Sequence, residues 1–226
     1  SGTLPNGQAV VLKADGTVEA VASSGVVANA PSGSLTTFEA AQSNFVQMAF
    51  DPNDGSKFVL CYVDVGNGEN GTAIIGTVSG DTLSFGTPAV FNSGYTVEVS
   101  VSFDPATANQ FVAVCSNQSN SSYGTSYVGT ISSTSISFGS GVVFNSSGTA
   151  RINIAFTGAA NIYVIVYKPA SNNGTAVVGT VSGTSSSFGT PMTFQAGGVA
   201  SVSLSADPND ATKLAVASNI SSVGKV

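Results

Sequence analysis

Three short motifs return along this chain in one common register, and that repetition restricts the fold more than any single residue does. Gly76-Thr77-Val78 recurs as Gly129-Thr130-Ile131 and Gly179-Thr180-Val181, at offsets of 53 and 50 residues. Ser84-Phe85-Gly86 recurs as Ser137-Phe138-Gly139 and Ser187-Phe188-Gly189 at the same offsets, and Asp51-Pro52 recurs as Asp104-Pro105 and Asp207-Pro208. With Phe38, Phe91, Phe144 and Phe194 as starts, the units run 38–90, 91–143, 144–193 and an incomplete 194–226. The third is shorter because Thr157-Gly158 stands where the others have Asp-Pro and the loop that follows is trimmed.

Within a unit the pattern has period two, that of a half-buried strand. In unit 2, Val97, Val99, Val101 and Phe103 alternate with Glu98, Ser100 and Ser102. Asp104-Pro105 then predicts a turn, and Phe111–Cys115, apolar on both faces, an internal second strand. A third strand follows through Ser126–Ile131, then a broken fourth through Ser135–Phe138 and Val142–Phe144. Four short antiparallel strands in about 50 residues match one blade of a β-propeller. The expected fold is therefore all-β: four-stranded blades over 34–226, with first-strand residues Val46, Met48, Phe50, Val99, Val101, Phe103, Ile152, Ile154 and Phe156 as blade core. Gly129 and Gly179 are expected where neighbouring sheets approach closely. Unit 4 holds 33 of the 53 residues of a full unit, so the chain is expected to be part of a longer propeller rather than a closed four-bladed ring. Residues 1–33 precede the repeat, and Ala14-Asp15-Gly16 between two apolar runs predicts a β-hairpin for attachment.

Composition narrows the chemistry. The chain has no His, so imidazole-dependent triads and His–metal sites are excluded. Six basic residues among twelve acidic ones leave no nucleic-acid footprint. No apolar run is long enough to cross a bilayer as a helix. Asp51, Asp104 and Asp207 read as structural turn residues, and with Asp54 and Asp210 they lack the spacing of a calcium loop. Cys61 and Cys115 fall in opposite register, hence on opposite sheet faces, and are expected to be small buried side chains that do not bridge. The loops between second and third strands are polar and variable. Asn67, Glu69, Asn70, Asn117, Asn120, Tyr123, Asn172 and Asn173 are expected on one rim, where amides suit sugar hydroxyls. No catalytic residue, metal or cofactor is expected.

Ala73-Ile74-Ile75-Gly76-Thr77-Val78-Ser79-Gly80, followed by Ser84-Phe85-Gly86-Thr87-Pro88 and Phe91-Asn92, resembles repeats in tail-fibre and other virion-surface proteins of marine bacteriophages, notably cyanophages. The likeness covers 38–226. It implies a non-enzymatic structural or attachment protein displayed outside the particle. Its partners would be other virion proteins, further copies of itself through the hairpin or an open sheet edge, and host surface glycans. The alternative expectation is a lectin-like propeller that binds carbohydrate through the second-to-third strand loops.

Overall fold

A computed structural model of the chain describes residues 10–12, 18–20, 36–80, 82–207, 210–220 and 223–225. Contacts divide the chain into Ser1–Leu35 and Thr36–Val226. In the first unit β1 (Val10–Leu12) pairs antiparallel with β2 (Val18–Ala20). The Asp15-Gly16 turn expected between them, the rest of 1–33, and Pro208 lie outside the described residues.

The second unit consists of successive antiparallel sheets, and no α-helix occurs among the described residues. In sheet 1, β3 (Ser43–Asp51), β4 (Asp54–Asp64) and β5 (Asn70–Ser79) pair in order. The fourth position is shared: β6 (Thr82–Phe85) pairs with the end of β5 and β7 (Ala89–Asn92) with its start. Sheet 2 repeats this with β8 (Thr96–Phe103), β9 (Gln110–Asn117), β10 (Tyr123–Ser132) and β11 (Ser135–Phe138). Its fourth position is completed by the first residues of β12 (Val142–Phe156), whose later residues become the first strand of sheet 3. β13 (Ile162–Pro169), β14 (Gly174–Ser182), β15 (Ser185–Phe188) and β16 (Met192–Gln195) complete sheet 3. Sheet 4 holds β17 (Val199–Ala206), β18 (Leu214–Ile220) and β19 (Val223–Lys225).

The sheets stack face to face, each presenting a front to its predecessor and a rear to its successor. Val59, Cys61, Val63 and Ile75 on the rear of sheet 1 share a core with Val99, Val101, Phe103, Phe111 and Cys115 on the front of sheet 2. Val112, Val114 and Val128 on the rear of sheet 2 meet Ile152, Ile154, Phe156 and Tyr163 of sheet 3. Val164 and Val166 then meet Leu204 of sheet 4. Central strands buried on both faces read as continuous apolar runs, which explains Phe111–Cys115 and Tyr163–Tyr167.

Two expectations need correction. First, Val46, Met48 and Phe50 are not core: they are 41%, 54% and 49% exposed, whereas their counterparts Val99, Val101 and Phe103 are at most 8% exposed. The difference is the neighbour: within Thr36–Val226 sheet 1 is the first of the stack, and no other sheet of that unit packs on its front. Second, Gly129 and Gly179 do not mark close approach of sheets. Each lies under the ring of its cross-strand partner, Phe111 or Tyr163, and Gly76 lies likewise under Phe58. The glycines of inter-sheet approach are Gly86 and Gly139, where a Cβ would strike the carbonyl oxygen of Thr134 or Thr184 in the following sheet. Cys61 and Cys115 are buried, free and on opposite faces of their own sheets, as expected; because a rear packs on a front, the two faces meet in one interface.

The covered glycines belong to a repeated aromatic chain. Phe103, Phe111, Phe138 and Phe91 touch in sequence, their ring centroids 5.6 Å apart at each step. Phe156, Tyr163, Phe188 and Phe144 form the same series one sheet on. Phe50, Phe58, Phe85 and Phe38 form it in sheet 1. A ring laid over a cross-strand glycine restores the contact that a missing side chain leaves open.

Candidate functional site

The loops between second and third strands lie at the end of each sheet where the first strand begins. In sheet 1 the Asp64 carboxylate accepts from Asn67 N at 3.1 Å and caps a single 3-10 turn, Val65–Asn67. In sheet 2 Asn117 does the same for Gln118–Asn120, accepting from Asn120 N at 3.2 Å. The residues that close the loops, Glu69, Ser122 and Asn172, have left-handed φ of 59°, 60° and 61°. Their carbonyls accept from Thr96 N, Thr149 N and Val199 N, at the start of the next sheet. Side chains repeat the tie: Asn70 Oδ1 accepts from Gly94 N at 2.6 Å and Asn173 Oδ1 from Gly197 N at 2.9 Å.

The tightest junction joins sheets 1 and 2. Asn92 is buried; its Oδ1 accepts from Tyr127 Oη at 2.7 Å and from Asn117 Nδ2 at 2.9 Å, and its Nδ2 donates to Thr96 Oγ1 at 2.7 Å. Asn145, its counterpart, donates to Thr149 Oγ1 at 2.7 Å. Of the eight loop residues proposed from sequence, Asn70, Asn117 and Asn173 are therefore committed to holding the fold. Asn67, Asn120 and Asn172 are exposed, and Glu69 and Tyr123 half-buried.

The first strands carry a feature that sequence reading missed. β3, β8 and β12 are each bulged at one equivalent point, and Phe45, Glu98 and Arg151 sit there with φ of 50°, 56° and 55°. Left-handed backbone in a residue with a Cβ costs on the order of 1–3 kcal/mol, and a bulge re-aims the side chain it carries. Arg151, the chain's sole arginine, extends from its bulge to both neighbours. Its Nε donates to the Ala200 carbonyl at 2.9 Å and its Nη1 to Glu98 Oε1 at 3.2 Å. The Arg151 side chain stays 52% exposed, and Phe45 is 45% exposed. The signal was present in sequence as a shared 53-residue offset, but Phe, Glu and Arg share no chemistry that would reveal it.

At the opposite end, the first strands run out into the Asp-Pro turns. Asp104 is fully buried, and its two carboxylate oxygens accept from Ala106 N and, across to sheet 3, from Asn161 N, both at 2.9 Å. Asp51 accepts from Asn53 N at 2.8 Å. In sheet 3 the Thr157 hydroxyl takes over, accepting from Ala159 N at 3.1 Å. Just beyond, Asp54 and Asp210 head matching Asp-x-Ser/Thr-Lys turns. The Ser56 hydroxyl, aided by Lys57, lowers the Asp54 pKa to about 2. Lys213, then Thr212, lower that of Asp210 to about 2. A cavity of about 540 Å³ opens at this end, lined by residues from the ends of all four first strands, among them Phe50, Phe103, Phe156 and Asp207. Burial pushes the Cys61 and Cys115 thiols far above the usual range, so neither supplies a thiolate.

No family model matches the chain, and no curated protein matches its sequence. Among solved structures, the crystal structure of TolB from Acinetobacter baumannii is similar, with a TM-score of 0.47 and 13% sequence identity. The match covers 81% of this chain and 39% of that one, so the chain spans well under half the length of the protein it matches.

Proposed function

We propose that this chain is a β-propeller scaffold without enzymatic activity, a structural component of a virion surface of the tail-fibre kind. The propeller reading is supported by four sheets stacked front to rear, whose first strands end around one cavity. The scaffold reading rests chiefly on where the polar side chains go. Asn70, Asn92, Asn117, Asp104, Asn145 and Asn173 hold loops, turns and sheet junctions in place rather than converging on a reacting atom. The virion assignment follows from the resemblance of the repeat, with other virion proteins or further copies of the chain as partners.

An antiserum against the purified protein tests it. Gold-labelled antibody is expected on the exterior of particles of the virus that encodes the chain. Particles that carry no label, with the antigen recovered only from the soluble host lysate, would remove the virion assignment.

A further inference from the structure

We infer that the bulged first strands form a sugar-binding site, in which Phe45 offers a stacking surface and the Arg151–Glu98 pair grips two adjacent hydroxyls. The inference goes beyond the scaffold reading and holds whether or not the protein is carried on a virion. It begins with position. Phe45, Glu98 and Arg151 stand at one equivalent place on three neighbouring first strands, each held in the left-handed region by a bulge. The Arg151 side chain bonds to the strand on either side of its own, so its bulge aims it into the space between first strands.

The open valences define the ligand. A guanidinium has five N–H donors, and two nitrogens of Arg151, Nε and Nη1, make the bonds it has; Nη2 meets no partner among the described residues. Glu98 uses Oε1 for the pair and leaves Oε2 open in the same sense. One ion pair thus keeps both a donor and an acceptor unused, which suits neighbouring hydroxyls, each of which both donates and accepts. The pair is neutral overall, and the Glu98 carboxylate repels an anion, so an uncharged polyhydroxyl ligand fits better than a phosphate or carboxylate. Phe45 adds an exposed ring on the adjacent strand, suited to the apolar C–H face of a pyranose. The second-to-third strand loops lie at the same end, where Asn70, Asn117 and Asn173 are already engaged in holding the fold.

The probes are the methyl glycosides of glucose, galactose, mannose and N-acetylglucosamine, titrated at millimolar concentration into the isotopically labelled chain. At least one is expected to shift the amide resonances of Phe45, Glu98, Arg151 and Ala200 in a saturable way. Arg151→Met and Phe45→Ala are expected to weaken that binding at least ten-fold, while Asn120→Ala leaves it unchanged. Should Arg151→Met fail to fold, Glu98→Gln, which keeps the side-chain volume, takes its place. No saturable shift with any of the four sugars overturns the inference. So does binding that shifts only the 117–123 loop or the cavity at the Asp-Pro end, or that survives all the bulge substitutions.

Discussion

Gly129 shows how much one missing Cβ decides. A Cβ there would collide with Phe111 Cζ, so the ring must move out of an aromatic chain that runs through the core. Gly129→Ala is expected to destabilise the protein by about 1–3 kcal/mol, the usual cost of overpacking. Gly55 has nothing within 4 Å of its would-be Cβ, so Gly55→Ala is expected to stay within about 0.5 kcal/mol of the parent. Urea unfolding of both variants checks the contrast; equal costs would mean that the ring is not seated on the glycine. The turn carboxylates give a residue-level prediction of another kind. Asp54 and Asp210 have pKa values of about 2 against an ordinary 3.8, so their turn bonds favour the fold above the ordinary value and lose that preference as pH falls through about 2. Carboxyl NMR titration should find both midpoints well below the ordinary range, and midpoints near it would mean that the Ser56–Lys57 and Thr212–Lys213 turns are open in solution.

Between sheets, the decisive unit is the short crossing from one fourth strand to the next first strand. Asn92 satisfies Tyr127, Asn117 and Thr96 at once, in a buried position. Asn92→Ala strands a buried tyrosine hydroxyl and is expected to cost about 1–3 kcal/mol per group left unsatisfied. Asn120→Ala, on an exposed loop, is expected to cost little. Thermal unfolding of the pair measures this, and matching midpoints would show that the junction is held by packing alone. The same elements show what could be read from sequence. The strands, the broken fourth position and the Asp-Pro turns follow from local patterning, because alternation and turn chemistry act over a few residues. The Asn92–Thr96 and Asn145–Thr149 ties also sit at a 53-residue offset, yet an Asn in a loop looks the same whether it binds a ligand or its own backbone. The bulges at Phe45, Glu98 and Arg151 were not legible at all, since alternation assumes an unbroken strand and a bulge shifts it by a residue.

At the scale of the whole repeat array, position in the stack outweighs position in the repeat. Phe50, Phe103 and Phe156 close equivalent first strands, and each touches the corresponding ring of its second strand at 5.2–5.6 Å. By sequence they are the same residue three times. Phe103 and Phe156 are each only 5% exposed beneath a preceding sheet, while Phe50 is 49% exposed. Removal of a buried Phe side chain costs about 3–5 kcal/mol, and that figure is expected for Phe103→Ala and Phe156→Ala. Phe50→Ala removes a ring that already faces water on one side, so it loses only part of the transfer free energy and leaves no enclosed void. Its expected cost is about 1 kcal/mol or less above that of an ordinary surface change. Equilibrium unfolding of the three variants side by side is the measurement. Three equal losses would require something to cover the front of sheet 1 in solution, and light scattering on the same samples would tell whether that cover is a second molecule. A small loss at Phe50 alone would place the front-to-rear interfaces, rather than the individual sheets, as the main source of stability.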